Sequence, residues 1–291
     1  MGLEKSDLTE MAQVLAEETE YSKRLIASAL SVARSSLYYK KQQPSIDKKI
    51  ADSIYELYET DDTLGCRKLA SLLDKGKNQV FRVMVKYGIQ PRRKRPKYNY
   101  PGRTDDVVEN KLLKQDVENN LVLFSDIFQF RLSDGTWVYM CFIIKKKTRQ
   151  ILSMAYGYSM QARLVVETIR RIDLHSELGE PEIIFHSDQG KQFGAKITVD
   201  ALFEYQFSRS MSRAGTPTDN GMAERFVQTF KLAVVERYKY ENIYQLEEFA
   251  TKWLNFYNNV RPHQSLNQKA PNKFAEENNL PIVPYLYLNF V

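Results

Sequence analysis

The sequence has few cysteines and no long apolar run, and these absences exclude several classes of protein. Its two cysteines, Cys66 and Cys141, are far apart and form no CxxC pair. This excludes a zinc ribbon and a disulfide framework, and it is typical of a reducing compartment. No apolar run approaches the roughly 20 residues of a membrane span. The polar stretch MGLEKSDLTE has no features of a signal peptide, so we expect a cytoplasmic protein.

Positive charge is concentrated in the first part of the chain. Of the 291 residues, 1–105 carry 20 Lys and Arg against 14 Asp and Glu, whereas 106–291 carry 22 of each. Within 64–103, 12 basic residues face the single acid Asp74. Such a block indicates a polyanionic partner, most often nucleic acid, because neutralised phosphates release counterions; the alternative is a solvated helix face. Prolines bracket the four cations of PRRKRPK (91–97), which favours an extended arm over a helix face.

Two helical modules are predicted before the composition changes. The stretch SKRLIASALSVARSSLYYK (22–40) has the rhythm of a helix-turn-helix, although many small helical hairpins share it. Residues 45–90 predict a second module, whose last two helices are separated by Gly76 and end near Gly88. We expect its exposed cations and those of the arm to contact DNA. They are Arg67, Lys68, Lys77, Arg82, Lys86, Arg92, Arg93, Lys94, Arg95 and Lys97.

From about residue 120 the pattern becomes that of a mixed α/β sheet. Runs of β-branched and aromatic residues separated by turn signals predict three strands joined by hairpins, at 121–130, 136–144 and 151–158. Later strands are predicted at 182–185 and 207–212, and helices at 162–178, 195–206, 220–238 and 244–260. This order predicts a sheet with helices on both faces. The predicted domains are therefore 1–44, 45–105, 106–275 and a C-terminal tail, 276–291.

Three acids stand where chemistry is expected. Asp126 lies inside an apolar strand, where an unpaired carboxylate is costly. Asp188 follows the fourth strand, and Glu224 lies in the first turn of a long helix. If the fourth strand pairs beside the first, both aspartates reach one edge of the sheet. Three oxygen ligands suit Mg²⁺ or Mn²⁺, and two such ions about 4 Å apart hold the attacking and leaving oxygens of a phosphodiester exchange.

The spacing of these acids and the motifs around them resemble one family. Sixty-one residues separate Asp126 from Asp188, and 35 separate Asp188 from Glu224. The stretches FSDIFQF, FHSDQGKQF and GTPTDNGMAERFVQTFK contain the three acids, and YNNVRPHQSL with APNKF follows them. GCRKLASLLDKGK and VMVKYGIQP resemble a helix-turn-helix. Over roughly 22–275, the chain resembles insertion-sequence transposases of the retroviral-integrase-like DDE type, the catalytic second reading-frame product with an integrase core.

The resemblance implies a fold, an activity and partners. It implies a ribonuclease-H-like catalytic domain with a mixed five-stranded sheet, in which Asp126, Asp188 and Glu224 hold two Mg²⁺ or Mn²⁺ ions. It implies that element ends are cleaved to free 3′-OH groups, which then attack target DNA. It also implies terminal inverted repeats and target DNA as partners, homo-oligomers that bridge two ends, and possible cooperation with a separate upstream-frame protein. The expected location is bacterial cytoplasm, at the nucleoid.

Some positions depart from the family pattern, and some roles stay open. Phe128 replaces a usual Thr, Lys145 replaces a frequent acid, and Ala233 replaces an acid after the motif lysine, Lys231. Lys231 lies seven residues after Glu224 on the same helix face, where it either reaches a DNA phosphate or stays on the surface. A catalytically silent DNA-binding regulator, derived from a transposase, is the alternative to an active enzyme.

Overall fold

The computed structural model describes residues 5–38, 43–93, 104–113, 120–172, 182–283 and 289–291. The chain divides into two compact units, Met1–Ile50 and Ala51–Val291. None of the helices within the described ranges has both the length and the apolarity needed to cross a bilayer. Three of the arm's predicted DNA contacts, Lys94, Arg95 and Lys97, lie outside the described residues. The domain boundaries predicted above stay predictions.

The first unit contains a small helical hairpin. Helices α1 (Lys5–Glu18) and α2 (Lys23–Ala29) are followed by a 3₁₀ turn, Arg34–Leu37. Ser22 begins α2, its hydroxyl accepting a hydrogen bond from the Leu25 N–H at 3.3 Å. Ser31 has a φ of 51°, so the chain reverses there. The element after this turn is a 3₁₀ turn, and the described residues contain no second α-helix of the motif.

The second unit begins with the end of α3 (Gln43–Thr60), followed by α4 (Cys66–Leu72) and α5 (Lys77–Lys86). Gly76 is the residue before α5, and Gly88, with a φ of 65°, follows its end, as predicted. Arg237 donates a hydrogen bond to the Tyr58 carbonyl oxygen, and Ser71 donates one to the Gln268 carbonyl oxygen at 3.3 Å. These bonds join the helices of the second unit to its C-terminal part.

The sheet has the strand order β5-β4-β1-β2-β3-β6. Its strands are β1 (Leu121–Arg131), β2 (Trp137–Lys145), β3 (Ile151–Gly157), β4 (Ile183–Ser187), β5 (Phe207–Met211) and β6 (Asn289–Phe290). β2 is antiparallel to both β1 and β3, whereas β4 is parallel to β1 and β5 is parallel to β4. The five strands predicted from the sequence are present, and together they form the mixed sheet of a ribonuclease-H-like fold.

Helices cover both faces of the sheet. Their bounds are α6 (Ala162–Arg170), α7 (Lys196–Glu204), α8 (Gly221–Phe230), α9 (Ile243–Asn259) and α10 (Pro271–Glu277). Because side chains alternate along a strand, β1 contributes to two cores. Phe124 and Phe128 pack with residues of α8 and α9, whereas Leu121 and Leu123 pack with α6 and α7. This confirms the predicted two-faced sheet.

Two elements differ from the predicted ones. The long helix predicted over 220–238 is interrupted, because α8 passes into a π-helical turn, Lys231–Val235, where the Glu236 N–H donates to the Lys231 carbonyl at 2.8 Å. The tail adds a sixth strand, β6, parallel to β3. The rings of Phe290 and Tyr156 lie 5.4 Å apart. The end of the tail therefore packs on the sheet of its own chain.

Candidate active site

Strand pairing brings Asp126 and Asp188 level with each other. The parallel ladder between β1 and β4 pairs Phe124 with His186, and two residues further along each chain lie Asp126 and Asp188. Because parallel strands run in the same direction, both carboxylates reach the same edge of the sheet. The expectation that the fourth strand pairs beside the first is confirmed.

Alternation along β1 places Asp126 on the face that α8 covers. Phe124 and Phe128, two residues to either side of Asp126, belong to the core that contains Phe226 and Phe230 of α8. Glu224 lies in the first turn of α8. The structure therefore brings all three predicted acids to one region, from a strand, a strand end and a helix start.

Burial perturbs all three carboxylates. Burial, together with the charges of Asp188 and Glu224, raises the pKa of Asp126 to about 8, against the opposing effects of the Ile127 N–H and Lys231. Burial also raises the pKa of Asp188 and of Glu224. The neighbouring acids disfavour the ionised form of Asp126, and a divalent cation would favour that form.

The donor set fits a hard cation, although the acids do not yet form a closed ligand cluster. No group of three His, Cys, Asp or Glu side chains within the described ranges is arranged to hold a metal ion. Asp126 interacts electrostatically with both other acids, and all three offer only oxygen, the donor that Mg²⁺ and Mn²⁺ prefer.

The turn after Asp188 has no room for a side chain. The Gly190 N–H donates to Asp188 Oδ1 at 2.9 Å, and a Cβ atom on Gly190 would lie 3.0 Å from the same oxygen. The described residues 104–113 brace this turn, since the Thr104 N–H donates to the Gln189 carbonyl at 2.7 Å. Sequence reasoning missed this bracing, because nothing in the composition of 104–113 marks it.

Asn220 connects the start of α8 to β1. Its Nδ2 donates to the Ser125 carbonyl at 3.3 Å, next to Asp126, and its buried Oδ1 has no partner among the described residues. Asn220 is the N-cap residue of α8, but its side chain makes no capping hydrogen bond. Asp219 accepts hydrogen bonds from Arg213 and from Asn110 Nδ2, the latter at 2.9 Å.

His186 has a structural environment. Its two ring nitrogens lie 2.8 Å from Ser210 Oγ and 3.0 Å from Ser212 Oγ. Burial lowers its pKa to about 4, so the ring is neutral near pH 7. With both nitrogens engaged, His186 holds β4 against β5 and its following loop.

Residues that depart from the family pattern lie in the core. Phe128, Lys145 and Ala233 are all buried, at 5%, 2% and 0% exposure. The Phe128 ring packs against Phe230 at 5.5 Å between centroids, and the Lys231 ammonium lies 5.5 Å from the Phe128 centroid. The replacement of Thr by Phe128 therefore forms part of the aromatic core below Lys231.

The predicted DNA-contact cations are differently exposed. Arg67, Arg82 and Arg93 are exposed. Arg92 is bound within the chain, to Asp62 at 3.1 Å and to the Glu236 carbonyl at 3.0 Å. Lys68 is half-buried, so its predicted exposure was wrong. It lies on α4 close to Arg261, and no sequence pattern indicates this proximity.

Sequence comparisons relate the chain to integrase core domains and to insertion-sequence transposases. Two models described as integrase core domain match residues 116–217 and 205–271. The transposase for insertion sequence element IS904 of Lactococcus lactis subsp. lactis (strain IL1403) is 27% identical, over 69% of this chain and 81% of that protein. InsK of insertion sequence element IS150, from Escherichia coli (strain K12), is 26% identical, over 88% and 94%.

Among solved structures, a chain of the simian T-cell lymphotropic virus intasome in complex with PP2A regulatory subunit B56 gamma covers 76% of this chain and 77% of its own length. Its sequence identity is 15% and its TM-score 0.45. The fold therefore rests on the strand order of this chain itself, and the similarity to integrase core domains on the sequence matches.

Proposed function

We propose that the chain is an integrase-like transposase of insertion sequences, which cleaves element ends and joins them to target DNA. In the first step water attacks a phosphodiester and frees a 3′-OH. In the second, that 3′-OH attacks a target phosphodiester, and the displaced target 3′ oxygen leaves. One phosphodiester replaces another, so the joining step needs no covalent enzyme intermediate.

We propose Asp126, Asp188 and Glu224 as the ligands of two Mg²⁺ or Mn²⁺ ions. The observation that carries this proposal is the β1–β4 register, which brings the two aspartates level below the helix that carries Glu224. When bound, the ions would polarise the scissile phosphodiester and stabilise the attacking and leaving oxygens.

Neighbouring residues of the chain would position the acids and the DNA. Gly190 keeps the Asp188 carboxylate against the turn, and Asn220 links the start of α8 to β1 beside Asp126. Lys231 affects the pKa of Asp126. We propose that its ammonium also neutralises a DNA phosphate beside the carboxylates.

The partners follow from the family and the exposed charges. We propose that terminal inverted repeats and target DNA bind the basic helices, with Arg67, Arg82 and Arg93 among the contacts. A homo-oligomer would bridge two element ends, with or without a separate upstream-frame protein. The enzyme would act in the bacterial cytoplasm, at the nucleoid.

The test is a cleavage and strand-transfer assay on the DNA ends that flank the gene, with full-length protein. The wild type should nick the ends in Mg²⁺, and precut ends should join to target DNA. Ends that terminate in a 3′-deoxynucleotide should not join, because they lack the nucleophile. No nicking, or nicking that the substitution Asp188→Asn leaves unchanged, would contradict the proposal and favour a regulator without catalysis.

The matched control is Asp200→Asn, which removes the same charge from the exposed surface of α7. This variant should cleave and join like the wild type. Nicking without joining of precut ends would instead identify a nuclease that only hydrolyses DNA.

A further inference from the structure

A buried ion pair joins the second helical module to the C-terminal part of the chain. Arg261 Nε lies 2.6 Å from Asp61 Oδ2, and the two side chains are 6% and 0% exposed. Arg261 also donates to Thr63 Oγ at 3.2 Å. The Asp61 carboxylate therefore balances the charge of Arg261.

Two further cations stand beside this pair without acids of their own. Lys68 and Arg149 have no hydrogen-bond or ion-pair partner for their side chains among the described residues. Burial and the charge of Arg261 together lower the pKa of Lys68 to about 7, against the smaller opposing effect of Asp61. Burial lowers the pKa of Arg149 as well. Lys68 and Arg261 therefore share the Asp61 carboxylate, and Arg149 interacts with Tyr257, over whose ring Arg261 also lies.

His263 lies where these charges meet. Burial lowers its pKa well below the ordinary value, and Arg261, Lys68 and Arg149 lower it further. Its ring packs edge-on against Tyr257 at 4.7 Å, and its Nε2 is buried without a partner among the described residues. A neutral imidazole with an unused nitrogen offers one hydrogen bond to a ligand.

Three separate segments of the chain hold Lys68, Arg149 and His263 in place. Ser71, one turn after Lys68 on α4, donates to the Gln268 carbonyl at 3.3 Å, which positions this helix face against the turn after His263. Arg149 has a φ of 63° in the turn between β2 and β3, and its N–H donates to the Lys145 carbonyl at 2.9 Å. The adjacent Gln150 is held by Asn272 at 2.8 Å.

Partly buried charge without a counter-ion destabilises a fold unless a ligand supplies that counter-ion. We infer that Lys68, Arg149 and His263 form a binding site for a backbone phosphodiester of DNA, between α4, the β2–β3 turn and the turn after α9. This site is distinct from the carboxylate region and from the exposed face of α5. The identification of the anion as DNA rests on the proposed function.

The first test measures duplex binding by the full-length chain in EDTA, across a range of salt concentrations. The double variant Lys68→Gln/Arg149→Gln should bind roughly tenfold more weakly, as the loss of charge-assisted hydrogen bonds predicts. Its slope of log affinity against log salt should be lower by about one. Lys68→Arg, which keeps the charge, should bind like the wild type.

The matched control is Arg163→Gln/Lys252→Gln, which removes two positive charges from exposed positions on α6 and α9. If this control loses as much affinity as the site variant, only net charge matters, and the inference is wrong. Equal affinity of the site variant and the wild type would overturn it too.

Thermal unfolding without DNA separates binding from a structural role. Removing repulsive, unpaired cations should raise the melting temperature of the site variant by about 2 to 4 °C, whereas loss of a structural contact should lower it. Inorganic phosphate should stabilise the wild type more than the variant. Stabilisation by phosphate with unchanged duplex affinity would assign the site to free anions and overturn the DNA inference.

The two proposals fail separately. A chain that binds duplex DNA through these cations but never cuts it in Mg²⁺ refutes the proposed function and leaves this site standing. A chain that cuts and joins DNA, but whose duplex affinity does not depend on Lys68 and Arg149, refutes this site and leaves the proposed function standing.

Discussion

Removing Arg261 while keeping Asp61 should strongly destabilise the second unit. Asp61 is fully buried, with its Oδ2 2.6 Å from Arg261 Nε and its Oδ1 accepting from the N–H and hydroxyl of Thr63 at 2.9 and 2.6 Å. The variant Arg261→Met leaves that carboxylate buried and without its cation. Breaking a buried pair in this way costs about 3–5 kcal/mol. In a unit of this size, this corresponds to a fall in melting temperature of roughly 6–20 °C.

The assay is denaturant unfolding of the wild type, Arg261→Met, Asp61→Asn and the double variant. The double variant should recover much of the loss, because it removes both charges from the low-dielectric interior. The reasoning is refuted if Arg261→Met costs less than about 1 kcal/mol, or if the two single losses simply add.

The pH dependence gives an independent check. Burial acts to raise the pKa of Asp61, but Arg261 and Thr63 outweigh it, and the folded pKa is lowered. A lowered folded pKa means that the stabilisation is present above the unfolded value near 4 and is lost as pH falls through the folded value. The difference in stability between the wild type and Arg261→Met should therefore be large at pH 7 and shrink below about pH 4.

Two further predictions use matched pairs of variants. Gly190→Ala should lower strand transfer at least tenfold with little change in melting temperature, because its Cβ would press on Asp188 Oδ1. A Cβ atom on Gly65 would have no atom within 4 Å, so Gly65→Ala should have wild-type activity in the same assay. Phe230→Ala should lower the free energy of unfolding by about 3–5 kcal/mol, whereas Phe203→Ala should change it by less than about 0.5 kcal/mol. The two phenylalanines are 0% and 85% exposed, respectively, and equal losses in urea unfolding would contradict this assignment.

Local patterns were sufficient for most of the elements. A run of β-branched and aromatic residues over 121–130 predicted β1, the order of strands and helices predicted the two covered faces of the sheet, and Gly76 and Gly88 predicted the limits of α5. The long helix over 220–238 was wrong in one respect, because the helical period of its apolar residues does not reveal the π turn at Lys231–Val235. In a π turn the hydrogen bond spans one residue more than in an α-helix. Packing against the sheet decides whether the helix accommodates this extra residue.

The sequence by itself predicted which residues the candidate active site uses, since Asp126 lies inside an apolar strand and its spacing to Asp188 and Glu224 resembles that of integrase-like transposases. It did not determine their environment. The raised pKa of Asp126 depends on burial below α8, and the ion pair of Asp61 with Arg261 joins residues 200 positions apart. Lys68 has the sequence context of a surface cation, yet it is half-buried near His263. Burial and long-range charge are properties of the packed chain, because they depend on which distant segments exclude water from a side chain, so only the tertiary structure decided them.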